Sequence, residues 1–322
     1  MRVAVTGMGG ELGTRVARLL DADERVTELL GIDVEPPRRH LRRAVFHRVD
    51  PLDRDRTVAT LAEFAPTVLV HLGVYEPYAR VEPELAVSRT AIGSIAALDG
   101  CRRGGRLESV VVRSGIEVYG RGRRTPTVPD EGTAPDPTSP FGESLLHVER
   151  VALDGGESVE AAVALLRLAP VVGPHVPSPL GRVLRLPAVP VPVLGSPRFC
   201  VLHPEDAAAA VVAAVERRVD GPVNVVGAGA ATPVQAARLG KRVPVPTFGP
   251  GWRVAAATTS LAGAPLPDHV VELLVRGRRA DGSKAGAVLG VVPTHTTPEV
   301  LARLHEWAPP TWTLERSDRP AA

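Results

Sequence analysis

A chain of 322 residues, 44% of them hydrophobic and 23% charged, has ample material for a large core, which excludes a disordered or fibrous protein. Its 38 Lys and Arg nearly balance 36 Asp and Glu, leaving a formal charge of +2 with no basic stripe, which argues against a nucleic-acid partner. Cys101 and Cys200 are far apart, no apolar run is long enough to span a membrane, and the amino terminus runs straight into a strand. A soluble, cytoplasmic protein without disulfides or membrane segments is therefore expected.

Over the first two thirds, short β-rich runs alternate with helical patterns, which predicts a parallel sheet. RVAVTG (2–7) reads as a buried strand, followed by a glycine turn and a helix over 11–20. Strands are expected at 29–34, 44–50 and 67–73, with the helix RDRTVATLAEF between the last two and a longer helix over 84–103. A fifth strand at 109–115 leads through a proline-rich loop, 124–139, into a helix that opens SPFGESLLHVER. A further buried strand is read at 161–173. Pro204, Glu205 and Asp206 mark the start of a helix, and 222–227 reads as the last sheet strand.

The fold class that follows is α/β: a Rossmann-type doubly wound parallel sheet with a small interleaved C-terminal substrate lobe. The dinucleotide-type domain is expected over 1–173 and 201–227. The lobe, rich in proline, small helices and loops, is expected over 174–200 and 228–310, and 311–322 reads as a disordered tail.

TGMGGELG (6–13) spaces Gly7, Gly10 and Gly13 as G-x-x-G-x-x-G, after a strand and at the opening of a helix. Glycine permits the tight turn and lets backbone approach a pyrophosphate seated on the free N–H groups of the helix. Asp33 follows at the end of the second strand, where a carboxylate accepts ribose hydroxyls and repels a 2′-phosphate. NAD is therefore expected rather than NADP, with contacts from Gly7, Gly10, Glu11, Leu12, Gly13 and Asp33. Glu11 is the odd member: its charge suits the helix dipole but stands close to where the pyrophosphate would lie.

These features resemble the extended short-chain dehydrogenases/reductases of the NAD-dependent epimerase/dehydratase group, over nearly the whole length. The resemblance is carried by TGMGGELG, VDPLD (49–53), VLVHLG (68–73), VRSGIEVYG (112–120), LLRLAPVVGP (165–174) and GPVNVVG (221–227). It implies adenine contacts from Asp50 and Leu52, and further cofactor contacts from Leu72, Gly73, Ser114 and Pro170. It also implies a nucleotide-sugar or other small-molecule ligand, and a homodimer through the helices at 84–103 and 140–153. Lys241 and Lys284 are the only lysines, an Arg-for-Lys bias similar to that of actinobacterial members.

The chain departs from the family at its chemistry. Carried over position by position, the family's Tyr falls on Phe141, its Lys on Leu145 and its Ser or Thr on Gly115. Ser114 is one residue off and, on a strand, points to the other face. Genome bias would turn Lys into Arg, not Leu. Phe141 and Leu145 form an i, i+4 apolar pair, a packing face rather than a proton relay.

Tyr75 and Tyr78, in VYEPY, are the substitute acids offered by sequence position, with His147 and His175 behind them. For each of the four, a surface or capping role is the commoner reading. Tyr119 reads as a core residue, and His71 and His203 as structural. Arg198 could approach a phosphate, but it stands farther from His203 than the sugar-nucleotide pattern R-D-Y-x-H requires. No His, Cys and carboxylate set has metal-ligand spacing, so no metal is expected. The leading expectation is an NAD(H)-binding protein with a degenerate catalytic site, acting as sensor, scaffold or subunit. The alternative is an active epimerase, dehydratase or reductase using Tyr75 or Tyr78.

Overall fold

Strand β1, Arg2–Thr6, is buried at four of its five positions and lies inside a seven-stranded sheet. The computed structural model describes residues 1–306, so the tail expected at 311–322 lies outside the described residues. In chain order β1 is followed by α1 (Glu11–Ala22), β2 (Glu28–Asp33), β3 (Ala44–Arg48), α2 (Arg54–Phe64), β4 (Val68–His71), α3 (Pro83–Gly104) and β5 (Ser109–Gly115). A short 3-10 turn, Ile116–Tyr119, precedes α4 (Pro140–Glu157) and β6 (Ala162–Leu168). Then come α5 (Pro179–Arg185), β7 (Ala188–Pro192), α6 (Pro204–Arg217) and β8 (Gly221–Val225). The chain closes with α7 (Pro233–Leu239), β9 (Val243–Thr247), α8 (Gly251–Leu261), α9 (Asp268–Arg276), α10 (Ser283–Leu289) and α11 (Thr297–Arg303).

The sheet runs β3-β2-β1-β4-β5-β6-β8, with every pairing parallel. Parallel neighbours need crossovers, and helices on both faces bury the Val-, Leu- and Ile-rich strands, as in the doubly wound class expected. From β1 the chain builds outward through β2 and β3, then returns to place β4 on β1's other side. The carboxyl ends of β1 and β4 therefore part at the switch point, where such sheets hold their ligands.

Two differences from the expected elements have physical causes. The strand read over 161–173 ends at Leu168, because Pro170 has no N–H to continue a ladder. The lobe, read as helices and loops, contains a parallel pair, β7 on β9. Val243 donates its N–H to Pro187 and Val193 to Thr247, so Pro190, Pro192, Pro244 and Pro246 take the alternate positions whose amides face away from the partner.

One hydrophobic cluster surrounds the sheet, and a second joins Leu180, Leu184, Val189, Val191 and Phe199 to Leu273 and Leu274 of α9. The second cluster fixes α9 against the first turn of α4, where the rings of His269 and Phe141 lie 4.8 Å apart. Among the described residues no helix is long and apolar enough to cross a membrane.

Candidate functional site

The glycine turn is built as its spacing requires. Gly7 has φ +74°, and a Cβ on it would lie 2.7 Å from the Gly73 nitrogen. One on Gly13 would lie 2.0 Å from the Gly7 carbonyl oxygen. Gly10 caps α1 without a side-chain partner, so the first N–H groups of the helix are left for a ligand. Glu11 does not direct its charge at this site alone: Arg15 holds it at 2.9 Å and Arg38 stands at 3.7 Å.

Asp33 is 9% exposed, and its two carboxylate oxygens accept the N–H groups of Gly9 (2.9 Å) and Val34 (2.7 Å). Burial raises its pKa against the opposing pull of those N–H groups. Gly9 was not singled out by the spacing; the Gly9-Gly10 doublet was the available signal.

Asp50 caps its own turn through the Leu52 N–H and pairs with Arg89 at 2.6 Å. Partial burial opposes its ionisation, yet the Arg89 guanidinium and the Leu52 N–H outweigh it and hold the carboxyl below the usual range. Leu52 is 40% exposed and lines no cleft.

The turn, Asp33, Leu72, Gly73 and Tyr75 line an open cleft with about 840 Å³ of empty space. Glu76, Arg113 and Val171 lead from it into a smaller inner chamber. Gly115, Phe141 and Leu145 meet there, with Ser114 and Pro170, so the three positions singled out from the sequence share one wall. Phe141 and Leu145 are 6% and 1% exposed. Ser139 caps their helix by accepting the Gly142 N–H, and Pro140 opens the first turn. A Cβ on Gly115 would lie 2.4 Å from Oε2 of Glu117, so the Glu117 carboxylate fills the space a serine would take. The Ser114 hydroxyl donates instead to Glu149 at 2.6 Å.

The chamber also gathers residues that no motif announced. Glu117 pairs with Arg278 at 3.3 Å, and Arg278 in turn pairs with Glu272. Glu76 pairs with Nε2 of His269 at 3.1 Å. Burial pushes the Arg113 guanidinium pKa down, while Glu76 and Glu117 act to raise it. These groups arrive from separate segments, so no local spacing could have linked them.

The sequence-proposed acids lie elsewhere. Tyr75 lines the cleft beside Asp33 and is absent from the chamber wall. Burial, reinforced by the Asp33 charge, pushes its phenol above the usual tyrosine value. Tyr78, with φ +61°, His147 and His175 line neither space.

Tyr119 is a core residue whose hydroxyl donates to Asn224 at 2.8 Å. His71 lies between Thr6 and Ser94, and burial lowers its pKa to about 4. His203 caps α6 by accepting the Glu205 N–H at 3.3 Å.

Although no such set has ligand spacing along the chain, the fold brings His203, Glu205 and His295 together, with ligand atoms within 4.8 Å of one another. The accepted Glu205 N–H places the proton of neutral His203 on Nε2, leaving that imidazole no free lone pair. His295 bonds Asp206 through Nδ1 at 2.9 Å, and the two rings stack at 4.0 Å.

The family model described as "NAD dependent epimerase/dehydratase family" matches residues 3–227. An uncharacterized protein of Mycobacterium tuberculosis H37Rv is 27% identical over 309 residues, which is 93% of this chain and 82% of that protein. The UDP-glucose 4-epimerase of Thermotoga maritima, solved with UDP-glucose, is similar in fold with a TM-score of 0.73. Its identity is 21%, over 95% of this chain and 98% of that one. A UDP-glucuronic acid 4-epimerase from Bacillus cereus, in complex with NAD, has a TM-score of 0.71 at 19% identity, with the same coverage.

Proposed function

Because the chain belongs to the NAD dependent epimerase/dehydratase family, we propose that it binds NAD(H) and does not run proton transfer from that family's usual positions. The observation that carries this reading is the contrast within one cleft. The glycine turn, the uncapped start of α1 and Asp33 are present, while Gly115, Phe141 and Leu145 offer no acid.

The backbone of residues 7–13 would hold the pyrophosphate, Asp33 the adenosine ribose, and Leu72 and Gly73 the path toward the chamber. When bound, the nicotinamide supplies two-electron redox chemistry. The residues present fit it: the backbone at Gly7 and Gly13 is tight enough to exclude any Cβ, while the α1 N–H groups remain uncapped. A nucleotide-sugar or another small molecule would enter through the cleft. Without a proton donor from another part of the site, the protein serves as a sensor, scaffold or subunit. The alternative acids Tyr75 and Tyr78 gain no support from their positions. Both cysteines are buried and unpaired, which suits a reducing cytoplasm.

Calorimetry tests the cofactor. NAD(H) is expected to bind more tightly than NADP(H), because Asp33 occupies the place a 2′-phosphate would need. Asp33→Ala should narrow that gap, and equal or tighter NADP binding by the wild type would refute the assignment.

The same reading includes a homodimer. Helix α3 exposes Val87, Ile92 and Ile95, and α4 exposes Leu153, each at 37–43%. A helix pair with this outer apolar face is expected to bury it against a second copy. Sedimentation at micromolar concentration should return a dimer, and Ile92→Asp should shift it to monomer. A monomeric wild type ends the idea.

A further inference from the structure

We propose that His269, backed by Glu76, is the proton-transfer group of this chain, and that its substrate is a secondary alcohol or the matching ketone. This rests on the cofactor reading above and goes beyond it by naming the group and the ligand class.

Position is the first argument. His269 lines the same chamber as Gly115, Phe141 and Leu145, and its ring stands 4.8 Å from that of Phe141. It therefore sits against the residue that replaces the family's acid. Glu76 lies where the cleft opens into the chamber, since it lines both. Tyr75 remains beside Asp33, outside the chamber.

Protonation geometry is the second. The Glu76 carboxylate can only accept, so the 3.1 Å contact puts the imidazole proton on Nε2. Nδ1 then carries the lone pair. A carboxylate behind one nitrogen orients the ring and stabilises the imidazolium that forms when the other takes a proton. The side chains are 6% and 18% exposed, so water screens this pair weakly.

Arg113 from β5 and Glu117 from the turn after β5 line the same chamber, and Arg278, on the segment after α9, pairs with Glu117 and with Glu272 of α9. Glu117 and Glu272 are both taken up by Arg278. Glu76 is left as the carboxylate paired with His269.

The lining admits such a group. Phe141, Leu145, Leu168, Leu180, Val270 and Leu273 give apolar contact, while Glu76, Arg113, Ser114 and Glu117 share the wall with His269. A carbinol can meet His269 while its carbon skeleton lies against the apolar side.

In the oxidative direction the carbinol O–H gives its proton to Nδ1, and the C–H hydrogen leaves with both bonding electrons to the oxidised nicotinamide. The alcohol becomes a ketone, and the His269–Glu76 pair becomes imidazolium–carboxylate. The reverse direction returns that proton to the oxygen.

The test uses the full chain with NAD and cyclohexanol, and with NADH and cyclohexanone, followed by nicotinamide absorbance. NAD affinity is measured separately by calorimetry, and the His269 ring is followed by NMR in histidine-labelled protein. Wild type should turn over both probes, and its His269 signal should move when cyclohexanol joins bound NAD. His269→Gln should lower the rate about a hundred- to ten-thousandfold while NAD affinity holds. Glu76→Gln, isosteric and at the chamber mouth, should lower the rate and move the His269 ring signal while NAD affinity holds, because the ring loses the carboxylate that orients it.

An unchanged rate in His269→Gln overturns the proposal. So does a loss of NAD affinity in step with rate in both variants, which marks the pair as a bridge between lobe and sheet. Wild type that binds NAD but turns over neither probe also overturns it, with the cofactor reading intact. Wild type that binds no NAD fails that earlier reading instead.

Discussion

UDP-glucose and UDP-galactose are expected to pass this protein without efficient epimerisation. On the proposed reading, the family's acid, lysine and hydroxyl fall on Phe141, Leu145 and Gly115, whose side chains are apolar or absent. A positioned acid or base contributes about a hundred- to ten-thousandfold to rate, and neither a phenyl ring nor a leucine can exchange a proton. Proximity to bound cofactor leaves only a residual rate. A coupled assay for UDP-galactose formation from UDP-glucose checks this, and robust wild-type turnover would refute it.

The converse variant is Gly115→Ser with Phe141→Tyr and Leu145→Lys. The serine Cβ would meet the Glu117 carboxylate at 2.4 Å, the far end of a side chain that can swing aside. The new lysine replaces a leucine that is 1% exposed, so it needs Glu117 or Glu76 as a partner. If the triple variant binds NAD and stays inactive on nucleotide sugars, the substrate lobe has diverged along with the acid. Gain of epimerisation would instead identify three side chains as the whole difference.

Arg167→Met is expected to destabilise the fold by about 3–5 kcal/mol, as removal of one partner from a buried ion pair does. Arg167 on β6 and Glu149 on α4 have side chains 5% and 3% exposed, joined by two hydrogen bonds of 2.9 and 2.8 Å. The same carboxylate accepts the Ser114 hydroxyl at 2.6 Å, and Arg167 donates to the Tyr119 hydroxyl at 3.1 Å. Methionine fills the volume but leaves Glu149 without its cation in the core. Arg167→Met together with Glu149→Leu should recover much of the loss, because the desolvation penalty disappears with the charge. Urea unfolding of the two variants measures both. A loss below about 1 kcal/mol for Arg167→Met would place the pair among weak surface-like contacts.

The dinucleotide half was legible because its signals are local. A strand, a glycine turn and a helix need only neighbouring residues, so TGMGGELG and Asp33 could be read from spacing and periodicity alone. The absence of an acid at Phe141 and Leu145 was equally local, whereas the bond of the Ser114 hydroxyl to Glu149 was not.

Other features depended on groups that meet only after folding. Glu11 reads as a charge beside the pyrophosphate until Arg15 and Arg38 close on it. Tyr75 reads as a substitute acid until burial and Asp33 raise its phenol and hold it outside the chamber. The β7–β9 pair was hidden because proline argues against strands, and only the ladder shows that those prolines occupy outward-facing positions. His203 and His295 stack although they come from distant segments. Glu76, Arg113, Glu117 and His269 converge from the β4–α3 connection, β5, the turn after it and α9, with no shared motif. Spacing along the chain specifies what one element presents. Which charges share a cavity is set by how separate elements pack, and here that packing put an imidazole and a carboxylate beside the phenyl ring that stands in place of a tyrosine.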